Sequence, residues 1–236
     1  MTTEAPIKPE AQPMATEPAT ATAELAAHHR SDLDFGVPAD EARVQRTAEA
    51  LRAKGYEVFI ADDAATARQI VLDKLPKGAE VSQGASKTLE ETGITAAIEE
   101  SGEYDAIRPK TRKLDYSTEE GRAQGRKMGA VPDYWLNSVA AVTEDGRFVI
   151  ASNTGSQLGP VAFGAGHVIW VIGTQKIVAD LDEAMQRLEE HVLPLESERL
   201  KQMYGVPSNI SKLLIINKEV RQGRFTVVLL REIAGY

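Results

Sequence analysis

The chain has no cysteine, which excludes disulfides, thiolate zinc sites, cysteine-ligated iron–sulfur clusters and a cysteine nucleophile together. Long apolar runs are lacking too. The longest, Val168 to Ile172, is strand-sized and far short of the ~18–20 residues needed to cross a bilayer. Positive charge is not in excess: the formal net charge over 236 residues is -8. Counterion release from a phosphate backbone therefore offers nothing, and nucleic acid is not expected as a partner. Met1 to Ala15 carries neither the basic start nor the apolar core of a secretory leader, so a cytoplasmic protein without a membrane partner is expected. Histidine is scarce, and the four present (His28, His29, His167, His191) show no metal-ligand spacing and no Ser/His/Asp order. No metal is expected.

What the sequence does have is ordinary core-forming material, with 42% hydrophobic residues, distributed unevenly. Residues 1–33 are rich in Pro, Ala, Thr and Glu, including Pro6, Pro9, Pro13 and Pro18. Such a segment has little apolar surface to offset the entropy of ordering, and it is expected to be a disordered tail. Residues 34–236 are expected to form one α/β domain. Pro38 suits a first helical position, with Val44, Ala48 and Leu51 at helical spacing and Gly55 as a stop. Strand-like runs at 56–61, 79–83 and 104–108 alternate with helical patterns at 64–75 and 88–100, the signature of a mostly parallel sheet with crossover helices. Further on, 137–142 and 148–152 flank Glu144-Asp145-Gly146, a hairpin signal. A buried-looking strand covers 167–172. Asp180 with Glu183 reads as a capping box opening a long helix that Pro194 should kink or end. Two strands, 212–217 and 225–231, close the pattern.

Three segments have the composition of a site. Gly84-Ala85-Ser86-Lys87-Thr88 lies between a strand and a helix, where unpaired backbone N–H groups attract anions. Gly84 permits close approach, Ser86 and Thr88 add hydroxyls, and Lys87 adds charge; Thr88 with Glu91 could equally be a plain capping box. Thr154-Gly155-Ser156-Gln157 suits a backbone nest around an oxyanion, or simply a turn. Glu144, on its tight turn, could act as base or nucleophile. Lys176 could reach an anion or lie along the surface. The glycine spacing fits no Walker loop and no Gly-x-Gly-x-x-Gly, so no nucleotide cofactor is implied.

Asp133-Tyr134-Trp135-Leu136, Val142-Thr143-Glu144-Asp145-Gly146, Thr154-Gly155-Ser156, Val168 to Gly173 and Lys176-Ile177-Val178, together with Gly84-x-Ser86-x-Thr88-Leu89, resemble the LUD domain family, the LutC-like proteins of lactate utilisation. The resemblance covers about residues 38–236. It implies a fold like that of ribose-5-phosphate isomerase, glucosamine-6-phosphate deaminase and the CoA-transferases, in which loops beyond the sheet hold phosphates, sugars or CoA thioesters. It also implies a role in oxidising L-lactate, in company with iron–sulfur oxidase subunits. Thr143-Glu144-Asp145-Gly146 is similar to the glutamate turn of CoA-transferases, which implies isomerase or CoA-transferase chemistry as one alternative and a non-catalytic scaffold as another. The chain departs from the family pattern at Gln157, where many relatives carry arginine, and at Gln175 and Ala140, where asparagine is common. Glutamine cannot make the bidentate carboxylate clamp of arginine. The ligand expected on this reading is a small anionic metabolite or a phosphate or CoA-type group, and a homodimer is an expected form.

Overall fold

The computed structural model describes residues 33–236; the N-terminal tail expected over 1–33 lies almost wholly outside the described residues. Among the described residues ten strands form two sheets. The larger contains β1 (Glu57–Ala61), β2 (Glu80–Gln83), β3 (Asp105–Ala106), β4 (Tyr134–Asn137), β7 (His167–Gly173) and β10 (Phe225–Leu230), ordered β1-β10-β7-β4-β2-β3 with every pairing parallel. The smaller contains β5 (Ala141–Thr143), β6 (Phe148–Ser152), β8 (Ile177–Val178) and β9 (Lys212–Ile216), ordered β8-β5-β6-β9, with β5 and β6 forming the hairpin.

Because side chains alternate across a strand, the central strands divide two cores between them. Val168, Trp170 and Ile172 of β7, with Phe225, Val227 and Leu229 of β10, pack toward the smaller sheet and the helix α1 (Glu41–Ala53). Ile169, Val171, Val228 and Leu230 face the opposite way, against α2 (Ala64–Asp73), α3 (Lys87–Glu91) and α4 (Ile94–Glu100). The first core is aromatic at its centre. Trp170 meets Phe148 at 4.5 Å and Phe225 at 4.8 Å, both edge-on, the arrangement ring quadrupoles favour. A third cluster of Ala141, Val149, Val178, Ala184 and Leu188 fixes α7 (Leu181–Arg187) to the outer face of the smaller sheet.

Several elements differ from expectation for local reasons. The first helix is capped by Asp40, whose carboxylate accepts from the Arg43 N–H at 2.8 Å, so Pro38 lies before the helix and not at its first position. The helix expected over 88–100 breaks at Gly93, whose φ of 71° is left-handed. Ser86 caps α3, accepting from the Leu89 N–H. Thr88 is therefore not the cap, and the Thr88–Glu91 box does not form. The strand expected over 104–108 pairs only at 105–106 and then coils into α5 (Ile107–Thr111). The run 137–142 is broken at residues 138–140, ending β4 in one sheet and starting β5 in the other. α6 (Glu119–Ala130) had no apolar period to mark it; its Gly125 lies so close to Tyr116 that a Cβ would meet the phenol oxygen at 2.6 Å. Pro194 does not end its helix. A π-turn, Leu188–Val192, is inserted just ahead of it and α8 (Leu193–Tyr204) runs on, the wider turn accommodating the missing N–H.

Candidate functional site

The carboxyl ends of four neighbouring strands of the larger sheet converge on one cavity of about 210 Å³. Ser86 and Thr88 follow β2, Ser138 follows β4, Lys176 follows β7, and Gly235 and Tyr236 follow β10. In open parallel sheets this edge is where ligands bind. The smaller sheet adds Ile150 to Asn153, and the π-turn and α8 close the wall with Leu188, Val192 and Leu200.

Lys176 lines this cavity. It is 2% exposed, and its Nζ donates to Thr88 Oγ1 at 2.9 Å and to Ser138 Oγ at 3.1 Å. Both hydroxyls lie on the cavity wall. Among the described residues no carboxylate forms an ion pair with this amine. Burial pushes it down to about 7, the neighbouring Arg187 cation pushes the same way, and Glu91 opposes weakly. Arg187 is 0% exposed, lying one layer behind the wall where its Nη1 donates to the Ala140 carbonyl. Its Nε and Nη2 have no hydrogen-bond partner among the described residues, and burial lowers its guanidinium to about 10. Burying two basic groups that oppose each other's charge, with no ion-paired carboxylate on either among the described residues, is costly. An anion in the cavity would relieve that cost.

The remaining expected residues divide. Lys87 lines the cavity but is held by Glu91 at 2.8 Å, one turn along α3. With five residues, α3 has little dipole to offer. Gly84 and Ser156 border a second cavity, of about 310 Å³, that shares Ala85, Gln157 and Glu196 with the first. Gln157 spans both: its Nε2 donates to the Ala151 carbonyl at 2.6 Å and its Oε1 accepts from Asn137 Nδ2 at 2.7 Å. Thr154 and Gly155 border neither. The Thr154 hydroxyl donates to Ser156 Oγ at 3.1 Å, and Gly155 turns with a φ of 88° where a Cβ would meet Lys212 Cδ at 2.7 Å. Glu144 is likewise absent from both walls. On its hairpin turn it accepts from Arg43 Nε at 2.6 Å and Arg46 Nη2 at 3.2 Å, and those two guanidinium groups account for its carboxylate.

Sequence reasoning missed Ser138, Asn137, Arg187 and the Ala234–Tyr236 segment. Asn137-Ser138, two polar residues inside a β-rich run, carried a usable signal. Arg187 gave none, since an arginine beside the apolar stripe of a helix is ordinarily a solvated flank. Glu196, on the wall, is neutralised by Arg199 through two contacts of 2.8 Å and receives the Tyr236 hydroxyl. Among the described residues no group of three or more His, Asp or Glu could hold a metal ion, and no helix is long and apolar enough to cross a membrane.

A mostly parallel sheet with flanking helices, and a cavity at its carboxyl edge, defines an α/β protein. The chain belongs to the LUD domain family, whose model matches residues 44–230. Among solved structures it is similar to a DUF162 family protein from Deinococcus radiodurans, with 14% identity and a TM-score of 0.49 over 82% of this chain and 99% of that one. No curated protein matches the chain.

Proposed function

We propose that this chain binds a small anionic metabolite of organic-acid metabolism, of the L-lactate and pyruvate class, in the Lys176 cavity. One observation carries the reading: Lys176 and Arg187 are both buried, the Arg187 charge is felt at the Lys176 amine, and neither forms an ion pair with a carboxylate among the described residues. The Ser138 hydroxyl, which accepts from the Lys176 amine and keeps its own proton, would orient a carboxylate or phosphate there. Family membership supports the lactate-utilisation context. With no cysteine to ligate a cluster, the chain would take part in lactate oxidation beside separate redox subunits.

Thermal unfolding with L-lactate, pyruvate, phosphate and CoA esters tests this. A ligand binding only the folded state at ~100 times its dissociation constant adds about 2.7 kcal/mol. A rise in melting temperature that Lys176→Met abolishes is expected. If every anion leaves the melting curve where chloride leaves it, the cavity is not an anion site.

A further inference from the structure

The same lysine has a second capacity. An amine that serves only as a fixed positive charge is ordinarily held by a carboxylate, which keeps it protonated. Lys176 is instead enclosed in a cavity wall between two neutral hydroxyls, 2.9 Å and 3.1 Å away, with the buried Arg187 guanidinium disfavouring its protonated form more than Glu91 favours it. That environment disfavours a second cation and leaves a lone pair on nitrogen. The Thr88 hydroxyl is committed to the Ala234 carbonyl at 3.0 Å, so it orients the amine. Ser138 accepts from the amine, and its own proton is available to a group in the cavity.

Resting on the anion-site reading above, we propose that Lys176 captures the carbonyl carbon of a small 2-oxo acid as an imine, with the acid's carboxylate drawn by the Arg187 charge. The nitrogen lone pair forms the new C–N bond while the carbonyl π pair moves to oxygen, which takes a proton from Ser138. The nitrogen, now carrying an extra charge, returns one proton to Ser138 to give the neutral carbinolamine, whose hydroxyl leaves as water with the remaining amine proton, and a C=N bond remains. Nothing is oxidised or reduced, and no co-reactant is needed.

Borohydride trapping tests the step. The full chain is incubated with pyruvate and reductant, then with L-lactate and reductant as the carbonyl-free control, and peptides are mapped by mass spectrometry. The expected result is a reduced pyruvate adduct on Lys176, forming with a pH midpoint near 7, while exposed lysines such as Lys77, which the Glu103 carboxylate raises above the ordinary value, react appreciably only at much higher pH. Ser138→Ala should slow trapping by about tenfold or more. The map is read on the unmutated chain, so the result stands even if Lys176→Met does not fold. Stabilisation by both lactate and pyruvate with no Lys176 adduct overturns the imine and leaves the anion site standing. An adduct without stabilisation by lactate supports the imine and removes the general anion site. Neither signal removes both, and labelling spread equally over surface lysines overturns the imine.

Discussion

Lys176 Nζ lies 2.9 Å from Thr88 Oγ1, across 88 residues of sequence, and that one bond ties the turn after β7 to the first turn of α3 at the cavity wall. The titration of this lysine should be visible in the stability of the whole protein. In the unfolded chain the amine is protonated up to about 10.5; in the fold it loses its proton near 7. Between those values the unfolded state holds more protons, so stability rises with pH across the window, and the burial penalty is fully present below 7. Arg187 reinforces the effect and Glu91 opposes it, while His191 is lowered mainly by its own burial and then by Arg187 and Lys176. The raised phenols of Tyr56 and Tyr236 remove stability above pH 10, so roughly pH 7.5 to 9.5 is the readable range. Melting temperature should climb there in the native chain and stay flatter in Lys176→Met. Parallel curves would show that the amine is ordinary.

Glu144→Gln should leave cavity binding untouched, because its carboxylate is engaged by Arg43 and Arg46 and borders neither cavity. The loss should appear as stability, on the order of 1 kcal/mol for a partly exposed pair, read from the denaturant midpoint. A tenfold weaker ligand with unchanged stability would return Glu144 to the site.

Gly84→Ala should disturb both cavities at once. A Cβ there would lie 2.4 Å from Asn137 Nδ2 and 2.9 Å from its Cγ, and Asn137 is the partner that holds Gln157. Overpacking of this kind costs about 1–3 kcal/mol. Anion-induced stabilisation should fall with it, whereas Gly78→Ala, with open space around the Cβ but a φ of 77°, should affect stability alone. Equal anion responses in the two variants would count against a role for the Gly84 turn.

Trp170→Ala should cost about 3–5 kcal/mol by emptying the aromatic centre of the first core. Trp170→Phe should cost far less, since the indole N–H has no partner to lose among the described residues. Chemical denaturation of both variants separates ring packing from the polar handle; similar losses would mean the N–H matters.

Much of this fold was legible because its pattern is local. The alternating strands and helices from 57 to 83, the Asp145-Gly146 hairpin and the apolar β7 all announce themselves by period or turn chemistry. The cavity was half legible: Ser86, Thr88, Gln157 and Lys176 stood out as loop residues beside glycines. The interruption at 138–140 did not, because a strand that leaves one sheet for another has no periodic break. Arg187 did not either, since its meaning depends on Ala140, 47 residues away. Glu144 is the converse case. Its turn looked chemical in sequence, and only the geometry brings Arg43, 101 residues distant, against it.

The Thr88 hydroxyl also reaches the Ala234 carbonyl, 146 residues further along the chain, which has a kinetic consequence. A contact of such sequence separation can form only after a long loop has closed, and that closure entropy is met late in folding. The cavity wall is therefore incomplete in any partly folded species in which β10 has not yet slotted between β1 and β7. Ligand capture would accordingly mark the finished protein and discriminate against every intermediate that precedes it, holding β10 in place by mass action once it arrives.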